Sequence, residues 1–220
     1  MKTKSPRLSV NKLAEYMNAD TLRRRQIVKD AKYPKSFKDT RYAEARTGIK
    51  DYILSGYDET IIGEIIQTLK QRPEGTDFQN NDIKNSIASL GHILSTELPN
   101  FENCTLQEFD GENTLINIEG LNISVYPDII IKRNDNGKIG GLKIHLSKTY
   151  DLGDGLIYVS TLMKYFFLNC GYEENNIDDK LCVSVDVFRM KYEFSPKSYK
   201  RTIQRLSAAC QEIVLWWDKV

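Results

Sequence analysis

Histidine and tryptophan are scarce in this chain, with two of each among 220 residues, and cysteine occurs four times. With only His92 and His145 to draw on, a zinc site or a Cys/His nucleophile has too few parts. Cys104, Cys170, Cys182 and Cys210 show no metal-ligand spacing, and three of them lie in apolar segments. Buried, reduced thiols in a cytoplasmic protein are therefore expected. No apolar run is long enough to span a bilayer, and the opening MKTKSPRLSV lacks the apolar centre of a signal peptide, so no membrane partner is expected. There is no zinc finger, RNA-recognition signature, phosphate loop, dinucleotide fingerprint, internal repeat or low-complexity tract.

What is present is an ordinary globular composition, 40% hydrophobic and 28% charged, in a chain long enough to bury one large core or two small ones. The net charge of +1 hides an uneven distribution. Residues 1–50 hold 14 Lys/Arg against 5 Asp/Glu, residues 51–120 hold 3 against 13, and residues 121–220 hold 14 against 12. Such asymmetry suits a nucleic-acid face, and equally a basic segment that neutralises the acidic middle.

Periodicity divides the chain into a helical region, 1–80, and an α/β region, 81–220, which two units or one continuous domain would satisfy. Asn11 is a candidate cap for a short helix through Met17, and Asp20 for another that Tyr33-Pro34 ends. Tyr42, Ala45, Ile49, Tyr52 and Ile53 recur at helical spacing. Further helices are predicted from Asp58 to before Pro73 and from Asp82 to Leu98. Strands follow near 113–119, 122–133 and 138–148, then an apolar helix from Leu156 to Leu168. A strand at 181–188 and a final helix after Ser195-Pro196 complete the series. From the Asp82 helix onward the order is α-β-β-β-α-β-α, a small mixed sheet with helices packed on it.

The stretch VYPDIIIKRNDNGKIGGLKIHLSK, residues 125–148, concentrates the chemistry. It reads as a hairpin, reversed at NDNGK, where the Asn-Gly pair suits positive φ. Ile123, Val125, Ile129 and Ile131 are assigned to one side of the first strand, Asp128 and Ile130 to the other. On the return strand Lys143 and His145 share a face, and Gly140-Gly141 signals a bulge or a close backbone approach. Whether pairing brings Lys143 to Asp128 depends on a register that one sequence does not give.

Pro127-Asp128 on the second strand and Lys143 on the third, within that element order, resemble the restriction-endonuclease-like, or PD-(D/E)xK, superfamily. The resemblance covers about residues 82–218. It implies a metal-dependent nuclease fold in which Asp128 binds magnesium and Lys143 positions and activates the attacking water. The acidic residue that the motif places two before the lysine is absent, because Gly141 stands there. Magnesium wants several oxygen ligands, so one carboxylate beside a lysine would hold it poorly. Glu97, at the end of the first helix of the series, and Glu119, at the end of the preceding strand, are the candidate replacements. Asp186, in an apolar strand, needs a partner of its own.

Plainer readings stand beside these. Pro-Asp is common where a strand begins, Lys143 on an antiparallel strand can face solvent, and His145 can be a satisfied polar residue. The run Arg23-Arg24-Arg25 fans around a helix, so one or two of the three could follow a phosphate track, extended by Lys29, Lys32, Lys35, Lys38 and Arg41. Lys197, Lys200, Arg201 and Arg205 crowd the start of the last helix, where cations oppose the dipole. The expectation is a cytoplasmic protein of bacterial or phage type that binds or scaffolds DNA or RNA with a degenerate nuclease-like site. The alternatives are an active magnesium-dependent nuclease with a migrated carboxylate, and a protein–protein adaptor or inhibitor with no nucleic-acid role.

Overall fold

The computed structural model describes residues 5–34, 41–112 and 114–220; Lys35 and Lys38 of the basic run lie outside them. The chain is a mixed α/β protein. Strand β1 (Arg7–Ser9) leads into helices α1 (Val10–Asn18), α2 (Thr21–Lys32), α3 (Ala43–Leu54), α4 (Glu59–Lys70) and α5 (Asp77–Leu94). Strands β2 (Cys104–Glu108), β3 (Leu115–Ile118), β4 (Leu121–Ser124), β5 (Ile129–Arg133) and β6 (Ile139–His145) follow. The chain ends with α6 (Leu156–Asn169), β7 (Ile177–Asp186), β8 (Lys191–Phe194) and α7 (Tyr199–Trp217). Among the described residues no helix is long and apolar enough to cross a membrane.

Local chemistry sets most boundaries. Asp20 accepts the Arg23 N–H at 2.8 Å and caps α2, which ends at Tyr33-Pro34. Asp58 caps α4 in the same way, accepting the Thr60 N–H at 2.9 Å. Two helix starts differ from expectation. Ser9, not Asn11, caps α1, because the β1 strand ends there and its hydroxyl accepts the Lys12 N–H at 3.3 Å. The helix predicted from Asp82 begins at Asp77, where Thr76 and Gln79 form a capping box, and it stops at Leu94 instead of Leu98.

The five-stranded sheet runs β2-β5-β6-β7-β8; β6 and β7 are parallel, joined across α6, and the other pairs are antiparallel. The strand predicted near 113–119 is present as β3, but the strand that pairs with β5 in this sheet is β2, which was not predicted because polar residues hid it. The segment read as one strand over 122–133 is two, β4 and β5, broken around Pro127. Strands β3 and β4 instead join β1 in a separate three-stranded sheet, ordered β1-β4-β3. The break also splits a predicted face. Ile123 and Val125 enter one core, while Ile129 and Ile131 enter the other.

Those two cores lie on opposite sides of the five-stranded sheet. One gathers Ile49, Ile53, Ile62, Leu90 and Ile93 from α3, α4 and α5 against Ile129, Ile131, Leu142, Ile144, Val183 and Val185. The other packs α1, α2, α6, α7 and the small sheet around Ile130, Cys182, Leu162, Phe166 and Trp217. Alternating residues of one strand thus serve both layers, as a sheet covered on both faces requires. Each fully buried Ile, Leu or Phe contributes roughly 1.5–3 kcal/mol of transfer free energy.

Glycines permit the tight centre of the sheet. The β6–β7 register shifts between Ile139 and Gly141, and a Cβ on Gly140 would collide with the Leu181 backbone. The close approach predicted for Gly140-Gly141 is this bulge. Gly137, with φ of +70°, makes the β5–β6 turn.

Candidate functional site

Register settles where Asp128 and Lys143 meet. Ile129 pairs with Leu142, so Asp128 and Lys143 face each other one step beyond the last paired residues of β5 and β6. The Asp128 N–H donates to the Leu142 carbonyl at 2.8 Å, which ties the strand start to β6. Asp128 is 4% exposed. Its Oδ2 accepts the Ile144 N–H at 2.8 Å and lies 3.0 Å from Lys143 Nζ. Its Oδ1 accepts from an Arg46 guanidinium nitrogen at 3.0 Å, and the same nitrogen donates to the Ile144 carbonyl at 3.0 Å.

Lys143 does not face solvent. Its side chain is 11% exposed, and it sits 5.8 Å from the Tyr126 ring centre. Burial pushes the Lys143 ammonium below its ordinary pKa, against the pull of Asp128 and with help from the Arg46 and Lys50 charges. Arg46 carried no sequence signal. It lies in α3, and only the packing of α3 on the sheet brings it to Asp128.

Gly141, at the motif's acidic position, lies beneath α6. A Cβ there would stand 3.1 Å from Met163 Sδ and 3.3 Å from the Phe167 ring. The candidate replacement carboxylates are placed elsewhere in the fold. Glu97 is exposed in the loop after α5. Glu119 occupies the β3–β4 turn with φ of +51°. There it accepts from Ser207 Oγ at 2.7 Å and Gln211 Nε2 at 3.0 Å on α7. Among the described residues no three His, Cys, Asp or Glu side chains gather closely enough to hold a metal ion.

His145 and Asp186 form a second buried pair, side by side on β6 and β7. Both are less than a tenth exposed. The His145 ring nitrogen Nε2 lies 3.1 Å from the Tyr150 carbonyl, so it carries the proton and donates. Asp186 Oδ1 accepts the N–H groups of Phe188 at 3.1 Å and Arg189 at 3.2 Å, and its Oδ2 has no hydrogen-bond partner among the described residues. Burial pushes His145 below and Asp186 above its ordinary pKa.

The arginine run fans as its spacing predicts, and each member has a different partner. Arg23 Nε donates to Glu15 at 2.8 Å, and its guanidinium lies over Tyr150. Arg24 donates to the Tyr16 carbonyl at 3.1 Å and reaches Glu212 at 3.5 Å, while Arg25 covers Trp216. Lys29 is exposed, and Lys32 donates to the Trp217 carbonyl at 2.6 Å. The contacts of Arg24, Arg25 and Lys32 with Glu212, Trp216 and Trp217 lie towards the C-terminal end of α7. Lys200, 3.4 Å from Glu174, and exposed Arg201 lie at its N-terminal end. The two basic runs are thus separated by the length of α7. Of the N-terminal cations, Lys50 reaches the acidic middle of the chain by pairing with Glu108. Cys182 and Cys210 are buried, but Cys170, expected in an apolar interior, is exposed just past α6. No protein-family model matches this chain, and no curated protein is similar enough to it to count as a relative.

Proposed function

We propose that the protein binds DNA or RNA through a restriction-endonuclease-like α/β unit whose nuclease site no longer cuts. Support for that lineage comes from the elements α5, β2, β5, β6, α6 and β7. They follow the order that the resemblance implies, with Asp128 at the start of the second strand and Lys143 on the third.

One observation carries the loss of cleavage. Both oxygens of Asp128 are engaged, Oδ1 by Arg46 and Oδ2 by Lys143 and the Ile144 N–H. A magnesium ion would have to displace two cations from a single buried carboxylate, and no step through a metal follows from such a donor set. Gly141 reinforces the reading, since its place under Met163 and Phe167 leaves little room for a carboxylate. The arrangement is a structural ion cluster that pins α3 to the end of the β5–β6 hairpin.

The test uses the purified chain with single- and double-stranded DNA and RNA, in Mg²⁺, Mn²⁺ or chelator, beside Asp128→Asn. Salt-sensitive binding without cleavage is expected. Metal-dependent cleavage that Asp128→Asn abolishes would restore the enzyme. Neither binding nor cleavage would turn the search to protein partners.

A further inference from the structure

A cleft of about 470 Å³ opens beside the Asp128 cluster, between α1, the start of α3 and residues 145–150. Lys12, Glu15, Arg46, His145, Lys148 and Tyr150 line it. That volume suits a small organic ligand more than a bare ion.

Its charges are unbalanced in one direction. Glu15, 8% exposed, is shared by Lys12 at 2.7 Å and Arg23 Nε at 2.8 Å. Asp128 is likewise shared, by Arg46 and Lys143. Among the described residues Lys148 Nζ meets a neutral acceptor, Asn85 Oδ1, at 3.4 Å. Lys12, Arg41, Arg46 and Lys148 thus line the cleft beside a single lining carboxylate, Glu15. Concave, low-dielectric walls concentrate such a field.

The walls are also built. Arg189 donates to the carbonyls of Ser147 at 2.5 Å and Lys148 at 3.3 Å, and His145 holds the Tyr150 carbonyl, so the 145–150 segment is fixed from beneath. The positive end of α1 enters through Ser9 and Asn11. Asn11 adds a distinct demand, because its side-chain oxygen is buried with no hydrogen-bond partner among the described residues. A phosphate dianion offers no donor to meet it, whereas the sugar hydroxyls and base amines of a nucleotide do.

We propose that this cleft is a binding site for a nucleotide phosphate monoester, either a free nucleoside monophosphate or the phosphorylated end of a strand. Lys12, Arg46 and Lys148 receive the phosphate, and Asn11, whose oxygen is shut off from solvent in the unliganded protein, turns into the cleft to accept from the sugar or base. The strand-end form rests on the nucleic-acid reading above; the free-nucleotide form does not.

Calorimetric titration tests it with inorganic phosphate, nucleoside 5′-monophosphates, and single strands carrying a 5′-phosphate, a 3′-phosphate or neither. Lys12→Ala/Lys148→Ala is the variant, both side chains being exposed and Arg23 still pairing with Glu15 once Lys12 is removed. Monophosphates are expected to bind more tightly than inorganic phosphate, and the double variant to weaken them about tenfold, as loss of charge-assisted hydrogen bonds does. Preference for a phosphorylated strand over an unmodified one identifies the strand end as the source, and its absence beside monophosphate binding identifies the free nucleotide. No monophosphate or phosphorylated-end binding, or equal binding by the double variant, overturns the proposal. Binding of the unmodified strand reports on the nucleic-acid reading separately, so the two can fail independently.

Discussion

Lys143 Nζ and Asp128 Oδ2 lie 3.0 Å apart at the open end of the β5–β6 hairpin, almost out of reach of water. Removing one partner of such a pair strands the other. Asp128→Ala is expected to lower stability by about 3–5 kcal/mol, towards the smaller figure because Arg46 is partly solvated. Urea denaturation measures this, and a loss below about 1 kcal/mol would show that the cluster does not hold the sheet end.

Restoring the missing acid should fail. Gly141→Asp inserts a Cβ 3.1 Å from Met163 Sδ and places a charge under α6. A cost of about 3 kcal/mol or more is expected, with no metal-dependent cleavage gained, and Gly141→Ala should cost about 1–3 kcal/mol through overpacking alone. Cleavage by a stable Gly141→Asp variant would contradict the reading of this position.

The neighbouring glycine makes a sharper test of packing. At Gly140 the added Cβ would strike Leu181 backbone, which cannot swing aside as a side chain does. Gly140→Ala should cost about 3 kcal/mol and disturb the β6–β7 register, seen as faster amide exchange in β7. Wild-type exchange rates would argue against the bulge.

Acid sensitivity should trace to His145. Its pKa is lowered from the ordinary 6.5 by burial, while Asp186 pulls the other way and Arg46 and Arg189 push it further down. Between that lowered value and 6.5 the unfolded chain binds more protons, so stability falls as pH drops through the window. Asp186, raised above 3.8, contributes with the opposite sign, gaining stability as pH falls through its own raised value. His145→Gln, which keeps a donor for the Tyr150 carbonyl, should lose the first slope. Unfolding midpoints from about pH 7.5 to about 5.5 compare the two proteins, and parallel curves would remove His145 from the account.

Much of this was legible in the residues. Asp20, Asp58, Pro34 and the Asn-Gly turn mark ends by local chemistry, and alternation in β6 put Lys143 and His145 on one face. Strand β2 was missed because CTLQE has little apolar character: its place in the sheet comes from pairing with β5, a contact no local pattern records. The Pro127 break hid in an isoleucine-rich stretch that reads as one strand. Arg46 could not be foreseen, since its meeting with Asp128 joins elements 82 residues apart. Local signals end where tertiary packing begins.

The parallel β6–β7 pairing bears on how the molecule assembles. The β5–β6 hairpin closes a short loop, so Asp128 and Lys143 can meet early, while both are still hydrated. Parallel pairing must wait for the whole α6 crossover, and long loops close slowly. Arg46 arrives only when α3 docks. The desolvation penalty of the cluster therefore falls late on the pathway, when the surrounding apolar layers are already in place to offset it. Substitutions at Asp128 should mainly speed unfolding and leave the early hairpin, and with it the folding rate, little changed.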